Sequence, residues 1–243
     1  MRIIPLSEGA FTIDQSKEFI PFKVGEDDLS ERSHGSLLVE IQPFLVITDN
    51  DYLLLDTGLG FEDQNGTMQI HQLLEKNGIS PDQITKVLMS HLHKDHSGGI
   101  LMPDKKTPSF RKAKYYINRN EYEIAINGHS SSYRPDDIQA LKGIEFLEGN
   151  GSISSSIEYI FTGAHSPYHQ AFKIKENNQV IFFGGDVAPQ LQQMRTKFRA
   201  KYDYEPVAAM ELRQNWWQEG EKEHWTFLFY HDIKYPSYQF KGQ

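Results

Sequence analysis

The sequence predicts an α/β fold, an αββα sandwich in which two mixed β-sheets pack together and helices cover their outer faces. Two observations predict it. Both halves of the chain run from strands to a helix, and polar residues stand where apolar strands end. The 243 residues suffice for one large domain, and no linker composition separates a second one, so we predict a single domain over residues 1–243.

The first half of the chain begins with strands. Runs rich in β-branched and apolar residues, separated by turn formers, predict strands over residues 2–5, 10–13, 36–48 and 52–55. Apolar residues at helical spacing then predict a helix over residues 67–77, which Asn77-Gly78 ends. A short strand over residues 86–89 leads into the most unusual stretch of the chain.

The pattern after residue 100 begins irregularly and then repeats the order of strands and helix. Prolines and lysines predict an irregular segment over residues 100–111, before a strand at 114–117 and a helix at 120–126. The polar residues 127–136 predict a loop in which His129 is solvated. Further strands are predicted over residues 157–162, 170–175, 180–183 and 225–230, and Pro206 at a first-turn position begins a helix.

Composition narrows the class of function. The net charge of −8 argues against a nucleic acid or an anionic membrane as the partner, which leaves a small-molecule substrate. Cysteine is absent, so a metal would be held by imidazole and carboxylate, which suits zinc and also iron, manganese or cobalt. Without an apolar leader or a spanning segment, the sequence predicts a soluble, cytoplasmic enzyme.

The stretch Ser-His-Leu-His-Lys-Asp-His-Ser-Gly-Gly, residues 90–99, holds the densest set of candidate metal ligands. Because residues i and i+2 of extended backbone point the same way, His91 and His93 can reach toward one ion. Asp95 and His96, beyond the turn, can face a second ion beside the first. Asp56 ends another apolar strand in Asp-Thr-Gly, at the edge where α/β sites are commonly built.

The order His-x-His-x-Asp-His, with the Ser before it and Gly-Gly after it, resembles the signature of the metallo-β-lactamase-fold hydrolases. Three further positions at the ends of apolar runs match that family: His165, Asp186 and His231. The resemblance implies two metal ions, the first bound by His91, His93 and His165. It implies that Asp95, His96 and His231 bind the second ion and that Asp186 bridges the two. It also implies that Asp56 and His169 lie beneath the metals and are not ligands.

The lactonase branch of this family resembles the chain in using five metal histidines and no cysteine ligand. In that branch a tyrosine that helps to bind the lactone carbonyl follows shortly after the bridging aspartate. Here no tyrosine follows Asp186 before Tyr202, and the spacing departs from the branch pattern. Tyr168, which stands where many relatives have glycine, would bring a bulky ring near the metals.

The resulting hypothesis is a dinuclear metallo-hydrolase, most simply with zinc, whose metal-bridging hydroxide attacks a small ester or lactone. Asp95 would be both a ligand and the acceptor of the proton. Two alternatives stay open: an iron-containing redox member of the same fold acting on oxygen or sulfur species, and an inactive metal-binding module. Candidate residues for the pocket wall are His34, Phe61, Tyr133, Tyr168 and Met194.

Overall fold

The structure is a computed structural model that describes residues 1–128 and 130–240; His129, predicted to be solvated, lies outside the described residues. The strands are β1 (Arg2–Pro5), β2 (Gly9–Ile13), β3 (Ile20–Pro21), β4 (Leu37–Ile41), β5 (Phe44–Ile47), β6 (Tyr52–Leu55), β7 (Lys86–Leu88), β8 (Lys114–Asn118), β9 (Ile144–Leu147), β10 (Gly151–Ser154), β11 (Ile157–Phe161), β12 (Gln170–Glu176), β13 (Gln179–Phe183), β14 (Thr226–Leu228) and β15 (Ser237–Gln239). The α-helices are α1 (Gln69–Lys76), α2 (Lys94–Ser97), α3 (Arg119–Asn127), α4 (Pro135–Ala140), α5 (Leu191–Arg195) and α6 (Pro206–Glu223).

The strands form two six-stranded sheets and one small sheet. The first large sheet has the order β1-β5-β6-β7-β8-β9, antiparallel as far as β6 and parallel from β6 to β9. The second has the order β10-β11-β12-β13-β14-β15, and its one parallel pair is β13 with β14. Strands β3, β2 and β4 form an antiparallel three-stranded sheet.

Side-chain alternation along the strands produces the layers. In β6, Leu53 and Leu55 point toward the second large sheet, whereas Leu54 belongs to the core beneath the helices. In β13, Phe183 joins the core between the sheets, and Phe182 points to the opposite side. Because successive residues of a strand face opposite sides, a fully apolar strand is buried on both faces. The two sheets therefore each have a covered outer face.

Helices cover both outer faces, as the sequence predicted. Leu74 of α1 and Ala125 of α3 pack on the first large sheet. Ala209 and Trp216 of α6 pack on the second, where Phe182 meets the Trp216 ring at a centroid distance of 4.7 Å. The predicted αββα sandwich is confirmed. Among the helices of the described residues, none has both the length and the apolar character needed to cross a membrane.

Several predicted element bounds were wrong. The strand expected over residues 36–48 is two strands, β4 and β5, because Pro43 between them cannot donate to a ladder. The strand expected over residues 225–230 is only β14, and the residues after it turn toward the site. The segment expected to be a loop over 127–136 begins helix α4 at Pro135, a residue favoured in the first turn.

The parallel strand pairs place the site. In the first large sheet, Asp56 follows β6 and His91 follows the neighbouring β7. In the second, Asp186 follows β13 and His231 follows the neighbouring β14. Because neighbouring parallel strands end at the same edge of a sheet, each sheet brings two polar residues together there. The site lies where these two edges meet.

Candidate metal centre

The loop after β7 carries four of the candidate ligands and is held by close packing against the Asp56 turn. His91 and His93 lie in the extended segment, and α2 begins directly after His93. A Cβ atom at Gly98 would clash with the carbonyl oxygen of Leu59, so glycine is required for this close approach. The strand end and the short helix thereby present side chains to one space.

The first group consists of His91, His93 and His165. One ligand atom from each lies within 4.8 Å of those of the other two, and the Nε2 atom of His165 is 3.2 Å from the Nδ1 atom of His93. His165 belongs to the turn that follows β11. The structure thus brings together the three histidines that were predicted to share an ion.

The second group consists of Asp95, His96, Asp186 and His231, all buried, with ligand atoms again within 4.8 Å of one another. The Oδ2 atom of Asp95 lies 3.6 Å from the Nε2 atoms of both His96 and His231. All seven residues predicted as ligands therefore fall into these two groups, and the six other than Asp186 divide as the family resemblance implied.

Asp186 lies between the groups and faces both. Its Oδ1 atom is 3.0 Å from the Nε2 atoms of His96 and His231. Its Oδ2 atom is 3.3 Å from Nε2 of His165 and 3.9 Å from Nε2 of His91. One carboxylate oxygen for each group is the arrangement of a bridging ligand.

Hydrogen bonds beneath the site orient His91 and His96 of the loop over residues 90–99, the HxHxDH loop. The Nδ1 atom of His96 is 2.7 Å from Oδ2 of Asp56, and Asp56 also accepts hydrogen bonds from the backbone N–H and the hydroxyl of Ser90. The Nδ1 atom of His91 lies 3.0 Å from the Ser90 hydroxyl. With Nδ1 engaged, the Nε2 atom of each ring faces the centre.

The two histidines from the second half of the chain are oriented in the same way. The Nδ1 atom of His165 is 3.0 Å from Oδ1 of the buried Asp203. The Nδ1 atom of His231 donates a hydrogen bond of 2.7 Å to the carbonyl oxygen of Glu40. His169, predicted not to be a ligand, accepts from the backbone N–H of Asp186 through its Nε2 atom.

Electrostatics divide the two groups. Burial, reinforced by the neighbouring histidines, holds the pKa of His91 and of His93 well below the ordinary value. Burial also acts to lower the pKa of His96 and His231, but the carboxylates around them outweigh it and raise both values. Burial acts to raise the pKa of Asp186, yet the histidines facing it hold that pKa well below its usual range.

The residues fit a pair of divalent metal ions. In the part of the chain that the structure describes, the Nε2 atoms of His91 and His96 are buried and make no hydrogen bond of good geometry, although Nε2 of His96 lies 3.0 Å from Oδ1 of Asp186. A buried polar atom without a partner is costly, and a metal ion would satisfy both nitrogens. Imidazole and carboxylate donors without thiolate suit zinc, iron, manganese or cobalt.

A cavity of about 240 Å³ opens beside the two groups. His93, Asp95, His165, Asp186 and His231 form its floor. Its walls are largely apolar. One wall comes from the small sheet and the loop between β2 and β3, and includes Ile13, Phe19 and Leu37. The other comes from the segment that joins α5 to α6, and includes Phe198 and Tyr202. A small molecule in this cavity would contact apolar side chains on the way to the candidate metal centre.

None of the residues predicted for the pocket wall lines this cavity. Tyr133 lies beside His93, with ring centroids 5.0 Å apart, and its hydroxyl donates to Glu121. Tyr168 packs near Phe161 at a centroid distance of 6.4 Å. The remaining candidates, His34, Phe61 and Met194, are also absent from the lining, and Met194 belongs to the core beneath α6.

Tyr202 lies in the cavity wall although it is distant from Asp186 along the chain. Its ring centroid is 5.9 Å from that of His165, and its hydroxyl oxygen accepts from Nε2 of Gln193 at 3.1 Å. Burial raises the pKa of Tyr202 to about 12, so the hydroxyl stays protonated. The chain spacing was therefore a poor guide to whether a tyrosine reaches the site.

Three buried acids that support the site were missed from the sequence. Asp203 orients His165, as described above. Glu121 accepts from the Ser166 hydroxyl at 2.8 Å and from the Leu92 backbone N–H at 3.2 Å, which ties two ligand loops together. Glu8 accepts from the Leu59 backbone N–H at 2.7 Å, and burial raises its pKa to about 8. No local pattern marked them, because each contacts residues far away in the chain.

Comparisons with known proteins bear on the family and on the fold. The family model of the metallo-beta-lactamase superfamily matches residues 40–231. The N-acyl homoserine lactonase AiiA of Bacillus thuringiensis subsp. kurstaki is 24% identical over 225 residues, covering 82% of this chain and 84% of its own. A probable metal-dependent hydrolase from Staphylococcus aureus superposes with a TM-score of 0.82 at 19% identity, over 99% of this chain and 92% of its own. AidC, a dizinc quorum-quenching lactonase, superposes with a TM-score of 0.75 at 19% identity, over 99% and 90%.

Proposed function

The chain belongs to the metallo-beta-lactamase superfamily, and from that premise we propose that it is a dinuclear metal-dependent hydrolase of acylated lactones. The observation that carries the proposal is Asp186, whose two carboxylate oxygens face two separate groups of candidate ligands. A single ion would need only one such group. The wider class, hydrolysis of a small ester or lactone, rests on the same geometry.

We propose that His91, His93 and His165 hold the first ion and that Asp95, His96 and His231 hold the second, with Asp186 shared. Zinc is the proposed metal, supported by the donor set and by the dizinc lactonase AidC among the structural neighbours. Two divalent ions bound there would lower the pKa of bound water and polarise a substrate carbonyl. Both ligand groups draw on both halves of the chain, which supports the proposal of one domain over residues 1–243.

The remaining chemistry is assigned to side chains of the cavity. Asp95 lines the cavity floor, and we propose that it accepts the proton of the attacking water and passes it to the leaving oxygen. The protonated hydroxyl of Tyr202 is proposed to donate a hydrogen bond to the substrate carbonyl oxygen. Tyr202 would then serve the purpose for which lactonases of the family use a tyrosine nearer to the bridging aspartate.

The acylated lactone is proposed from the cavity walls and from the relatives. Apolar residues such as Phe19 and Leu37 form a surface against which an acyl chain would be removed from water. The relative named above, AiiA, is an N-acyl homoserine lactonase. No feature of the site favours the redox alternative, and a complete set of buried donors speaks against an inactive module.

The proposal is tested by adding N-hexanoyl-L-homoserine lactone to protein reconstituted with zinc and detecting the ring-opened acid by mass spectrometry. We expect turnover that exceeds the turnover of an aryl ester and of a phosphotriester of similar size. The matched control is His91→Ala, which should leave only background hydrolysis. Faster turnover of the phosphotriester would contradict the proposed substrate class. The absence of any turnover in a protein that holds its metal would contradict it as well.

A further inference from the structure

Two lysines line the same cavity as the candidate metal centre. Lys94, the first residue of α2, lies between His93 and Asp95 in the chain and lines the cavity with them. Lys17 approaches from the loop between β2 and β3, where its backbone N–H donates to the carbonyl oxygen of Asp14 at 3.1 Å. Both lysines are half-buried. Two ammonium groups therefore line the cavity, beside the carboxylates of its floor, in a protein whose net charge is −8.

These lysines differ from Lys105 and Lys173, which have carboxylate partners in the described part of the chain. Lys105 pairs with Asp137 at 2.9 Å, and Lys173 pairs with Glu219 at 2.9 Å. Within residues 1–128 and 130–240, no ion pair involves Lys17 or Lys94, nor the half-buried Arg134 nearby. A half-buried ammonium group without a counter-ion from the protein is available to pair with an anionic ligand that enters the cavity.

Lys94 is held in place by the loop that also carries Arg134. Its backbone N–H donates to the carbonyl oxygen of Ser132 at 2.8 Å, and Ser132 lines the cavity as well. The half-buried Arg134 lies near enough to repel Lys94, and Asp95 and the exposed Glu18 offset part of that repulsion. An added negative charge at this end of the cavity would face cationic side chains from two segments of the chain.

The cavity thus presents three kinds of surface: the candidate metal centre on its floor, an apolar stretch of wall, and the pair Lys17 and Lys94. The apolar stretch includes Ile13 and Phe19, which flank Lys17 in the chain. A substrate with a plain acyl chain would use the first two surfaces and leave the lysines unpaired. Resting on the proposed function, we propose that the preferred substrate carries an anionic oxygen group, a carboxylate, on its acyl arm, and that this group pairs with Lys94 and Lys17.

The test uses two lactones of equal chain length, N-hexanoyl-L-homoserine lactone and N-adipoyl-L-homoserine lactone, which ends in a carboxylate in place of a methyl group. We expect kcat/KM to favour the adipoyl substrate by about tenfold at low salt, because a well-placed charge pair contributes at least that much. Salt at about 0.5 M should reduce the preference through screening. A ratio near one, or a preference for the hexanoyl substrate, would overturn the inference.

Substitution of each lysine tests whether it causes the preference for the adipoyl substrate. Lys94→Met and Lys17→Met keep most of the apolar stem and remove the charge, so each should lower the adipoyl-to-hexanoyl ratio about fivefold. The matched control is Lys112→Met, which removes a charge from an exposed lysine that pairs with Asp82 and does not line the cavity. Its ratio should equal that of the natural sequence. An equal fall in all three variants, or in none, would contradict the lysine pair as the source of the preference.

Binding of the ring-opened acids separates this inference from the proposed function. Calorimetric titration with N-adipoyl-L-homoserine and N-hexanoyl-L-homoserine requires no turnover. Tighter binding of the adipoyl acid that is lost in Lys94→Met supports the lysine site even if neither lactone is hydrolysed. Hydrolysis of both lactones with equal efficiency and equal binding of both acids would leave the lactonase proposal standing and overturn the inference.

Discussion

The two ligand groups of the candidate metal centre share Asp186 and differ in charge. The first is made of imidazoles, and burial keeps the pKa of His91 and of His93 well below the ordinary value. The second contains two carboxylates, which raise the pKa of His96 and of His231. Because a metal binds neutral imidazole, the first group can accept an ion directly, whereas the second must first release protons.

The two groups also differ in where their supporting acids come from in the chain. His96 in the second group rests on Asp56, which belongs to the turn after β6 and is tied to the HxHxDH loop through Ser90. His165 in the first group rests on Asp203, from the segment before α6. One support comes from the turn after a neighbouring parallel strand, and the other comes from a distant loop. The two groups can therefore be perturbed separately.

Loss of one ligand from either group should have the largest effect. We expect His91→Ala and His231→Ala each to lower kcat by at least about 1000-fold and to reduce the metal content by about one ion per chain. Elemental analysis and the lactone assay measure both quantities. His34→Ala, which alters a histidine of neither group, serves as the control. Full metal content and turnover in His91→Ala would contradict the division into two groups.

Substitution of the supporting acids should weaken one group at a time. We expect Asp203→Asn to lower the affinity for the ion near His165, and Asp56→Asn to lower the affinity for the ion near His96, each by about 10- to 100-fold. Anomalous scattering from crystals of the two variants, grown at limiting zinc, would give the occupancy of each position. Loss of the same ion in both variants would mean that the supports do not act through the histidines they contact.

Lower pH should remove the ion of the second group first. The folded-state pKa of His96 and His231 is raised, so their protonated forms persist above the ordinary imidazole value of about 6.5 and compete with the metal there. His91 and His93 have lowered pKa values and stay neutral until the pH is well below that value. Dialysis over a series of pH values, followed by elemental analysis, should show two steps. Simultaneous loss of both ions would contradict the difference in proton affinity.

The raised pKa of His96 also affects the stability of the metal-free protein. A histidine whose pKa is raised on folding contributes stability that is fully present below its unfolded value of about 6.5 and is lost as the pH rises through the folded value. His96 should therefore make the metal-free protein less stable to urea as the pH rises above about 6.5. His96→Gln should reduce that dependence; an unchanged slope of unfolding free energy against pH would contradict the assigned direction.

The smallest effect is expected at the cavity wall, outside both groups. Tyr202→Phe removes one hydroxyl donor, so kcat/KM for the lactone should fall about three- to tenfold, the worth of one hydrogen bond. Metal content should not change, since Tyr202 belongs to neither group. A loss of metal in this variant would show that Tyr202 acts through His165 beside it and not on the substrate.

The sequence was informative about the ligands because each follows an apolar run whose β character is readable locally. The motif from His91 to His96 is contiguous, and Asp186 and His231 stand at the ends of two strands that turn out to be parallel neighbours. The αββα order followed from the same strands. Alternation between two buried faces, as in Leu53, Leu54 and Leu55, made those runs wholly apolar.

The parts that could not be predicted depend on contacts across the chain. Asp203 and Tyr202 lie in the segment between α5 and α6, which folds back against His165, and no periodicity records that return. Tyr202 is distant from Asp186 along the chain, so the sequence did not place it at the site. Lys94 lies inside the motif, but the sequence does not show that it lines the cavity together with Lys17. The fold brings Lys17 there in the loop between β2 and β3.

The central claim, a centre that holds two ions, is tested most directly by elemental analysis of protein purified without chelator and without a nickel affinity step. The expected result is about two zinc ions per chain, falling to about one in His231→Ala and in His91→Ala. One ion per chain in the natural sequence would contradict it. Two iron ions together with oxygen uptake would leave the two-ion centre standing and favour the redox alternative over the hydrolase.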